Sequence, residues 1–307
     1  YGYTGTNVKV GTIAVHRSHC KLLITSNTYS GNTHFDDFSD QGNYWDQTPY
    51  GVHFKSSKPD EYYVLDDDSW GHPLTGGTTM TLAAWVKDTD ATASHYQRII
   101  QWGNSSQRYA WLLRSQSTDG NYQFKVTTSS AGQEVATSAA QRSVRGVYTL
   151  VVGTLGAGYQ TIYVNAQQGA NTALSGTLTN SGDIRVGQGG SGESSDYRWV
   201  GDINQIGVWN TTLTPANVQA MWEAGPTANW MTNYSSGMAA YWAFGNHNEV
   251  GGLPADTTTI LYDRSGRSRR VTSSSISNAP HKGKLIIPGS GARHSTDVKN
   301  FGSSAIQ

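Results

Sequence analysis

Residues 200–225 read VGDINQIGVWNTTLTPANVQAMWEAG. Val200–Trp209 is rich in β-branched and aromatic residues and therefore reads as a strand. Ile206 and Val208 point to one face, Ile203 and Trp209 to the other. Both faces then carry apolar weight, as in an inner strand of a sandwich. At Leu213-Thr214-Pro215 the period changes. Thr214 suits an N-cap, and Pro215 suits the first helical position, whose N–H has no intrahelical partner. Val218, Met221 and Trp222 follow at helical spacing, and Gly225 stops the helix. A strand thus runs into one short amphipathic helix, near residues 214–223, that lies back on the fold.

Upstream, Met80–Lys87 (MTLAAWVK) alternates Met80, Leu82, Ala84 and Val86 with Thr81, Ala83, Trp85 and Lys87, the period of a strand. Val8–Val15, Lys21–Thr25, Tyr50–Phe54 and Tyr62–Leu65 read as strands too, as do Arg98–Trp102, Tyr109–Arg114, Tyr122–Thr127, Val147–Gly153, Thr161–Val164 and Asp183–Gly187. From Met80 on they recur about every 10–15 residues with Gly, Asn, Ser or Asp between them, the spacing of a sandwich. Asp119-Gly120 is a tight-hairpin signal.

The Ala84-Trp85-Val86 core strand and the later G-D-I-x-x-I-x-V-W strand with its L-T-P-A-x-V helix resemble the laminin-G-like, or pentraxin-like, group of the concanavalin A-like jelly rolls. Tyr163-Val164-Asn165 is similar to that group's x-Y-V-N-G hairpin, with Ala166 where Gly is usual. The Asp36–Asn43 run resembles its D-x-S-G-x-G-N opening turn only loosely. The resemblance spans roughly residues 30–225. It implies an all-β, two-sheet antiparallel jelly-roll sandwich. Met238–Gly245 (MAAYWAFG) and Tyr262–Gly266 (YDRSG) resemble the strand and turn that open such a domain, yet here they follow the closing helix. Three readings stand: a strand added to the sandwich edge, which is favoured, the start of a second domain, or pairing with another chain. The expected partition is an N-terminal arm with strands over 1–25 and a jelly roll over 26–225. An added strand and turn follow over 226–271, then an extended tail over 272–307.

Charged residues make up 14% of the chain and the net charge is +0. That balance disfavours a nucleic-acid partner, which wants a clustered basic face, and charge-driven binding to an acidic membrane. No apolar run is long enough to span a bilayer, so no membrane insertion is expected. The abundance of Gly (35 residues) with 17 Tyr and 10 Trp fits short strands joined by polar turns. Cys20 is the single cysteine, so no internal disulfide forms. No signal peptide is visible. Because the sequence opens on Tyr1 rather than Met, processing or a leader outside it is expected.

Hydrolytic chemistry lacks its residues. A related jelly roll cleaves β-glucans with E-x-D-x-x-E on one strand. None of the five glutamates, Glu61, Glu134, Glu193, Glu223 and Glu249, sits in that pattern. The G-x-S-x-G elbow is absent as well. Gly187–Gly192 is glycine-rich but opens no helix, so no phosphate site is read there. His16 and His19 fall on opposite faces of an extended segment and make no metal pair.

Two kinds of binding residue remain. Sugar rings stack on aromatic faces while polar neighbours bond their hydroxyls. Trp45, Trp70, Tyr96 and Tyr197 lie in polar, loop-like surroundings and are the candidate glycan contacts. Trp85, Trp209, Trp222 and Trp242 sit in periodic segments and belong to the core. Asp66, Asp68, Glu193 and Asp196 lie in loops, and the resemblance implies that calcium, an oxygen-seeking cation, sits at one rim of such sandwiches. The expectation is a non-catalytic surface module. Its terminal YWAFG…YDRSG arrangement resembles phage virion proteins. This implies a virion structural or decoration protein, on a virion surface or extracellular, that joins other assembly subunits through its terminal arms and binds glycans. The alternative is a secreted carbohydrate-binding or adhesion domain of a cellular organism.

Overall fold

The computed structural model describes residues 24–26, 35–37, 50–54, 62–65, 73–90, 96–103, 108–114, 120–130, 133–142, 145–179, 183–189, 197–244, 260–265, 270–273 and 281–284. The chain divides into two compact units. One is Tyr50–Gly283; the other groups Tyr1–Pro49 with Lys284–Gln307. In the second unit, β1 (Ile24–Ser26) and β2 (Phe35–Asp37) pair antiparallel with each other as a two-stranded sheet.

The larger unit runs through β3 (Tyr50–Phe54), β4 (Tyr63–Leu65), β5 (Met80–Asp88), β6 (Gln97–Gly103), β7 (Arg108–Arg114) and β8 (Asn121–Thr127). It continues with β9 (Gln133–Arg142), β10 (Tyr148–Gly156), β11 (Tyr159–Val164), β12 (Gln167–Ala173), β13 (Ile184–Val186) and β14 (Gly201–Trp209). Helices α1 (Pro215–Ala224) and α2 (Trp230–Asn233) follow, and then β15 (Met238–Trp242), β16 (Ile260–Tyr262), β17 (Arg270–Ser273) and β18 (His281–Lys284). The strands form two eight-stranded sheets. The first has the order β12-β11-β10-β5-β14-β3-β18, with β15 also on β14; the second has β16-β17-β4-β13-β6-β7-β8-β9. This is the antiparallel jelly-roll sandwich the sequence implies.

β14 is the strand on which the first sheet turns. One edge pairs with β5 over most of its length. The other is shared: Gly201–Ile203 pair with β3, and Ile206–Trp209 pair with β15. The YWAF segment thus lies within this sheet, beside the strand that ends in the closing helix. A register shift between Ile203 and Gln205 changes the facing of β14. Strict alternation sets Ile203 against Ile206, but the extra residue at Asn204 restores Ile203 to the core side with Ile206 and Val208.

The core lies between Leu82, Ala84, Val86, Val151, Ile162, Ile206 and Trp242 of the first sheet and Tyr63, Ile100, Trp102, Leu112, Phe124, Val126 and Val186 of the second. Packing there is close enough that one glycine is required by space. A Cβ at Gly153 on β10 would overlap the ring of Phe124 on β8. Two hairpins bind β10, β11 and β12. Ala157-Gly158 and Asn165-Ala166 both have positive φ at each position, the twist that two-residue hairpins favour. Ala166 therefore holds a left-handed conformation that glycine adopts more readily. Asn165 adds a side-chain contact, its Oδ1 accepting from the Leu150 N–H at 2.9 Å. By contrast, residues 115–120 join β7 to β8, so Gly120, with φ 59°, ends a longer connection than a two-residue turn.

α1 starts and stops where the sequence places it. Thr214 Oγ1 accepts from the Asn217 N–H, Asn217 Oδ1 accepts from the Thr214 N–H, and Gly225 with φ 80° ends the helix. A ten-residue helix is marginal alone, so burial of Val218 and Met221 holds it down. Trp222 is only half-buried, and is thus not the core residue that periodicity assigns. Trp209 and Trp85 are buried on the helix side of the first sheet. Trp230 of α2 packs between Trp209, at 5.8 Å, and Tyr241, at 5.7 Å between ring centroids. Gln205 donates to the Pro226 carbonyl and accepts from the Tyr241 hydroxyl at 2.8 Å, which ties this layer to the loop after α1. Replacing Gly153 by alanine forces Phe124 to move, and we expect a loss of about 1–3 kcal/mol in chemical denaturation, with the fold retained.

Candidate binding face on the second sheet

Helices and tryptophans cover one outer face of the sandwich. The other outer face belongs to the second sheet, and its residues follow from alternation. Ile100, Leu112, Phe124 and Val186 form one core row, and Trp102, Ala110, Val126 and Ile184 the next. Residues between these rows face outward. Arg185 on β13 stands in register with Gln101 on β6, and Lys125 on β8 lies two strands beyond Gln101 in the same row. Arg98, in register with Leu113, is on the same face next to that row. Polar and cationic side chains therefore stand on β13, β6 and β8, with Gln101 (0% exposed) and Arg98 (5% exposed) as the floor, and Trp111 and Leu113 hold the intervening register positions on β7.

Aromatic rings stand over it. Tyr96 lies just before β6 and Tyr197 just before β14, yet their ring centroids are 6.3 Å apart in an edge-to-face arrangement. The Arg98 guanidinium lies 5.0 Å from the Tyr197 ring and 5.9 Å from the Tyr96 ring; Lys125 Nζ is 6.0 Å from the latter. A second stack puts the Arg185 guanidinium 4.6 Å over Tyr62. Such cation–ring contacts contribute about 0.5–2 kcal/mol each, most where water is excluded. They fix the tyrosine rings as platforms, and Tyr62, Tyr96 and Tyr197 all stay half-exposed.

Of the residues singled out from sequence, the structure brings Tyr96 and Tyr197 together. Trp45, Trp70, Asp66, Asp68, Glu193 and Asp196 lie outside the described residues. Among the described residues no three His, Cys, Asp or Glu side chains converge as a metal site. Sequence reading missed Tyr62, Arg98, Gln101, Lys125 and Arg185. Their signal was present: in NYQFKVT the residues Asn121, Gln123, Lys125 and Thr127 form a wholly polar face of a strand whose other face is core.

With that geometry in place, relatives can be compared. A laminin-G-type family profile, described as the concanavalin A-like lectin/glucanases superfamily, matches residues 58–219, more than half of the chain. The chain belongs to this superfamily. No curated protein matches it in sequence. Among solved structures, a candidate carbohydrate-binding protein from Bacteroides ovatus aligns at 14% identity with a TM-score of 0.54. That alignment covers 78% of this chain and 60% of the other, and it shows the shared fold. The heptameric SAP-like pentraxin of Limulus polyphemus aligns at 14% identity and TM-score 0.44, over 56% of this chain and 81% of the other. The mouse laminin α1 LG4-5 domains align at 15% and 0.39, over 57% and 43%.

A second polar row crosses the first sheet of this superfamily member, on the helix side. His53, Asp202, Lys87 and Tyr148 are successive register partners on β3, β14, β5 and β10. His53 Nδ1 lies 2.6 Å from Asp202 Oδ1, and Lys87 Nζ is 5.7 Å from the Tyr148 ring. The Tyr148 hydroxyl is buried without a hydrogen-bond partner. Burial first, and then the Asp202 charge, pushes the Tyr148 phenol well above its ordinary value of 10.0. The fold therefore favours the protonated phenol. This stabilisation is present in full below about pH 10 and is lost as pH rises past 10 and through the raised value. We expect Tyr148→Phe to lessen the alkaline fall in melting temperature above pH 10, and to leave neutral-pH stability within about 1 kcal/mol, because no hydrogen bond is removed.

Proposed function

We propose that this chain is a non-catalytic carbohydrate-binding module, displayed extracellularly or on a surface, whose sugar site is the outer face of the second sheet. One observation carries the reading. Two tyrosines chosen from sequence for sugar stacking, about 100 residues apart, meet on this face with their rings 6.3 Å apart. Beside them stand the half-exposed Gln123 and Lys125, an amide and a cation of the kind that bond sugar hydroxyls, over a floor of Gln101 and Arg98. The first sheet offers no equal, because helices and Trp230 cover much of its outer side. Superfamily membership fits this reading, as does the likeness to the Bacteroides ovatus protein.

The test is a printed array of neutral, uronic and sialylated oligosaccharides, followed by titration of the best hit. We expect Tyr197→Ala and Tyr96→Ala each to weaken that binding about ten-fold, on the order of 1.4 kcal/mol, while the lost cation–ring contacts lower the melting temperature by a few degrees and leave both variants folded at the assay temperature. Full binding by both variants, or no binding of any sugar by the native chain, overturns the proposal.

A second reading rests on the separate grouping of Tyr1–Pro49 with Lys284–Gln307. We propose that this terminal unit joins the module to a larger assembly, a virion among the candidates. Removing residues 290–307 is then expected to abolish incorporation into particles while sugar binding persists; normal incorporation refutes it.

A further inference from the structure

We infer that the second-sheet face takes acidic glycans, and that Arg185 anchors the carboxylate or sulfate of the sugar. The inference rests on the carbohydrate-binding reading above and adds the ligand class. Arg185 occupies β13, inside the sheet, in register with Val64 on β4 and Gln101 on β6. Its partners among the described residues are neutral. The Tyr62 ring lies under the guanidinium at 4.6 Å, and Nη1 donates to Gln188 Oε1 over a long 3.5 Å. Nε is buried and has no hydrogen-bond partner among the described residues. Asp183, two residues earlier on the same face by alternation, makes no ion pair with it.

A buried charged donor without an acceptor costs more than a neutral one, and folded proteins satisfy nearly all such groups. Stacking on Tyr62 fixes the plane of the guanidinium. A fixed guanidinium is a fork that matches a planar carboxylate or a sulfate with two parallel hydrogen bonds. Arg98 and Lys125 on the same face add positive potential. The whole chain has net charge +0, so these cations reflect placement on this face and not a generally basic protein. The tyrosine platforms orient the sugar ring, and the guanidinium selects its acidic substituent.

The decisive comparison uses matched ligands on the full chain. Oligogalacturonate is titrated against its methyl ester, sialyllactose against lactose, and a sulfated heparin oligosaccharide against its desulfated form. The native chain should prefer at least one acidic partner about ten-fold, and the carboxylated and sulfated arms tell which acid is taken. Arg185→Gln should erase that preference while leaving binding of the neutral partner in place. Arg185→Lys, a point charge without the fork, should restore it only in part. Equal affinity of the native chain for acidic and neutral partners overturns the inference and leaves the carbohydrate reading standing. An unchanged preference in Arg185→Gln also overturns it. Binding of none of the six sugars defeats both readings. Should Arg185→Gln fail to fold, the ester and desulfation comparisons on the native chain still test the acidic preference, and an undiminished preference in Arg185→Lys overturns the role of Arg185.

Discussion

The sandwich depends on β14, a strand whose two edges must be filled by three others. β5 satisfies one edge. The other is too long for five-residue β3, and the β14 groups from Ile206 to Trp209 find partners only when β15 arrives from beyond the closing helix. Unpaired strand groups in an apolar setting cost as much as lost hydrogen bonds. The bulge at Asn204 makes this shared edge possible. It turns the strand locally, so that Ile203 beside β3 and Ile206 beside β15 reach the same core despite the break between their partners.

From β14 the two outer faces acquire different characters. Trp209 and Gln205 project to the helix side, and that side needs a cover because large aromatic surface cannot be left in water. The cover consists of α1, α2 and Trp230. A Cβ at Gly207 would overlap Trp209 and crowd Trp230, so the smallest residue on the strand is what lets the second helix approach. With much of one face covered in this way, the opposite sheet carries arginine, lysine and glutamine beside half-exposed tyrosine rings on its outer side. The tyrosine–arginine stacks order the rings at little cost in exposed apolar area.

Much of this was legible in residue order. Thr214, Pro215 and Gly225 act locally, each through its own backbone bond, and so their reading needs no tertiary knowledge. Alternation in MTLAAWVK likewise names the core side of β5 correctly. What escaped were features decided by a partner elsewhere. The facing of Ile203 depends on a bulge, which inserts one residue without any motif to announce it. Trp222 fits the helical stripe, yet the sheet beneath α1 buries only Val218 and Met221. Of the binding face, Tyr96 and Tyr197 were visible as aromatics in polar surroundings. Arg98, Lys125 and Arg185 were not, because a lone charge within a strand reads as solvated until cross-strand register sets it beside a ring.

The C-terminal strands carry the argument one step further. YWAF and YDRSG open a domain in the laminin-G-like pattern, yet here they complete one. Asp263 shows how tightly they do so. Its Oδ1 accepts from the Tyr241 and Ser265 N–H groups, both at 2.9 Å, and the Arg264 N–H donates to the Tyr241 carbonyl at 2.7 Å. Asp263 and Arg264 are each 0% exposed. A buried carboxylate that accepts backbone N–H groups holds its loop firmly, because losing either partner strands a charge. The turn between β16 and β17 is thus bound to β15, and β17 lies on β4 at the flank of the second sheet. One short segment joins both sheets: β15 seals the strand that carries the tryptophan layer, and β17 pairs with β4, the strand that β13 and its Arg185 flank on the other side. The order of Arg185 and Tyr62 on the second sheet therefore rests on strands that come late in the larger unit.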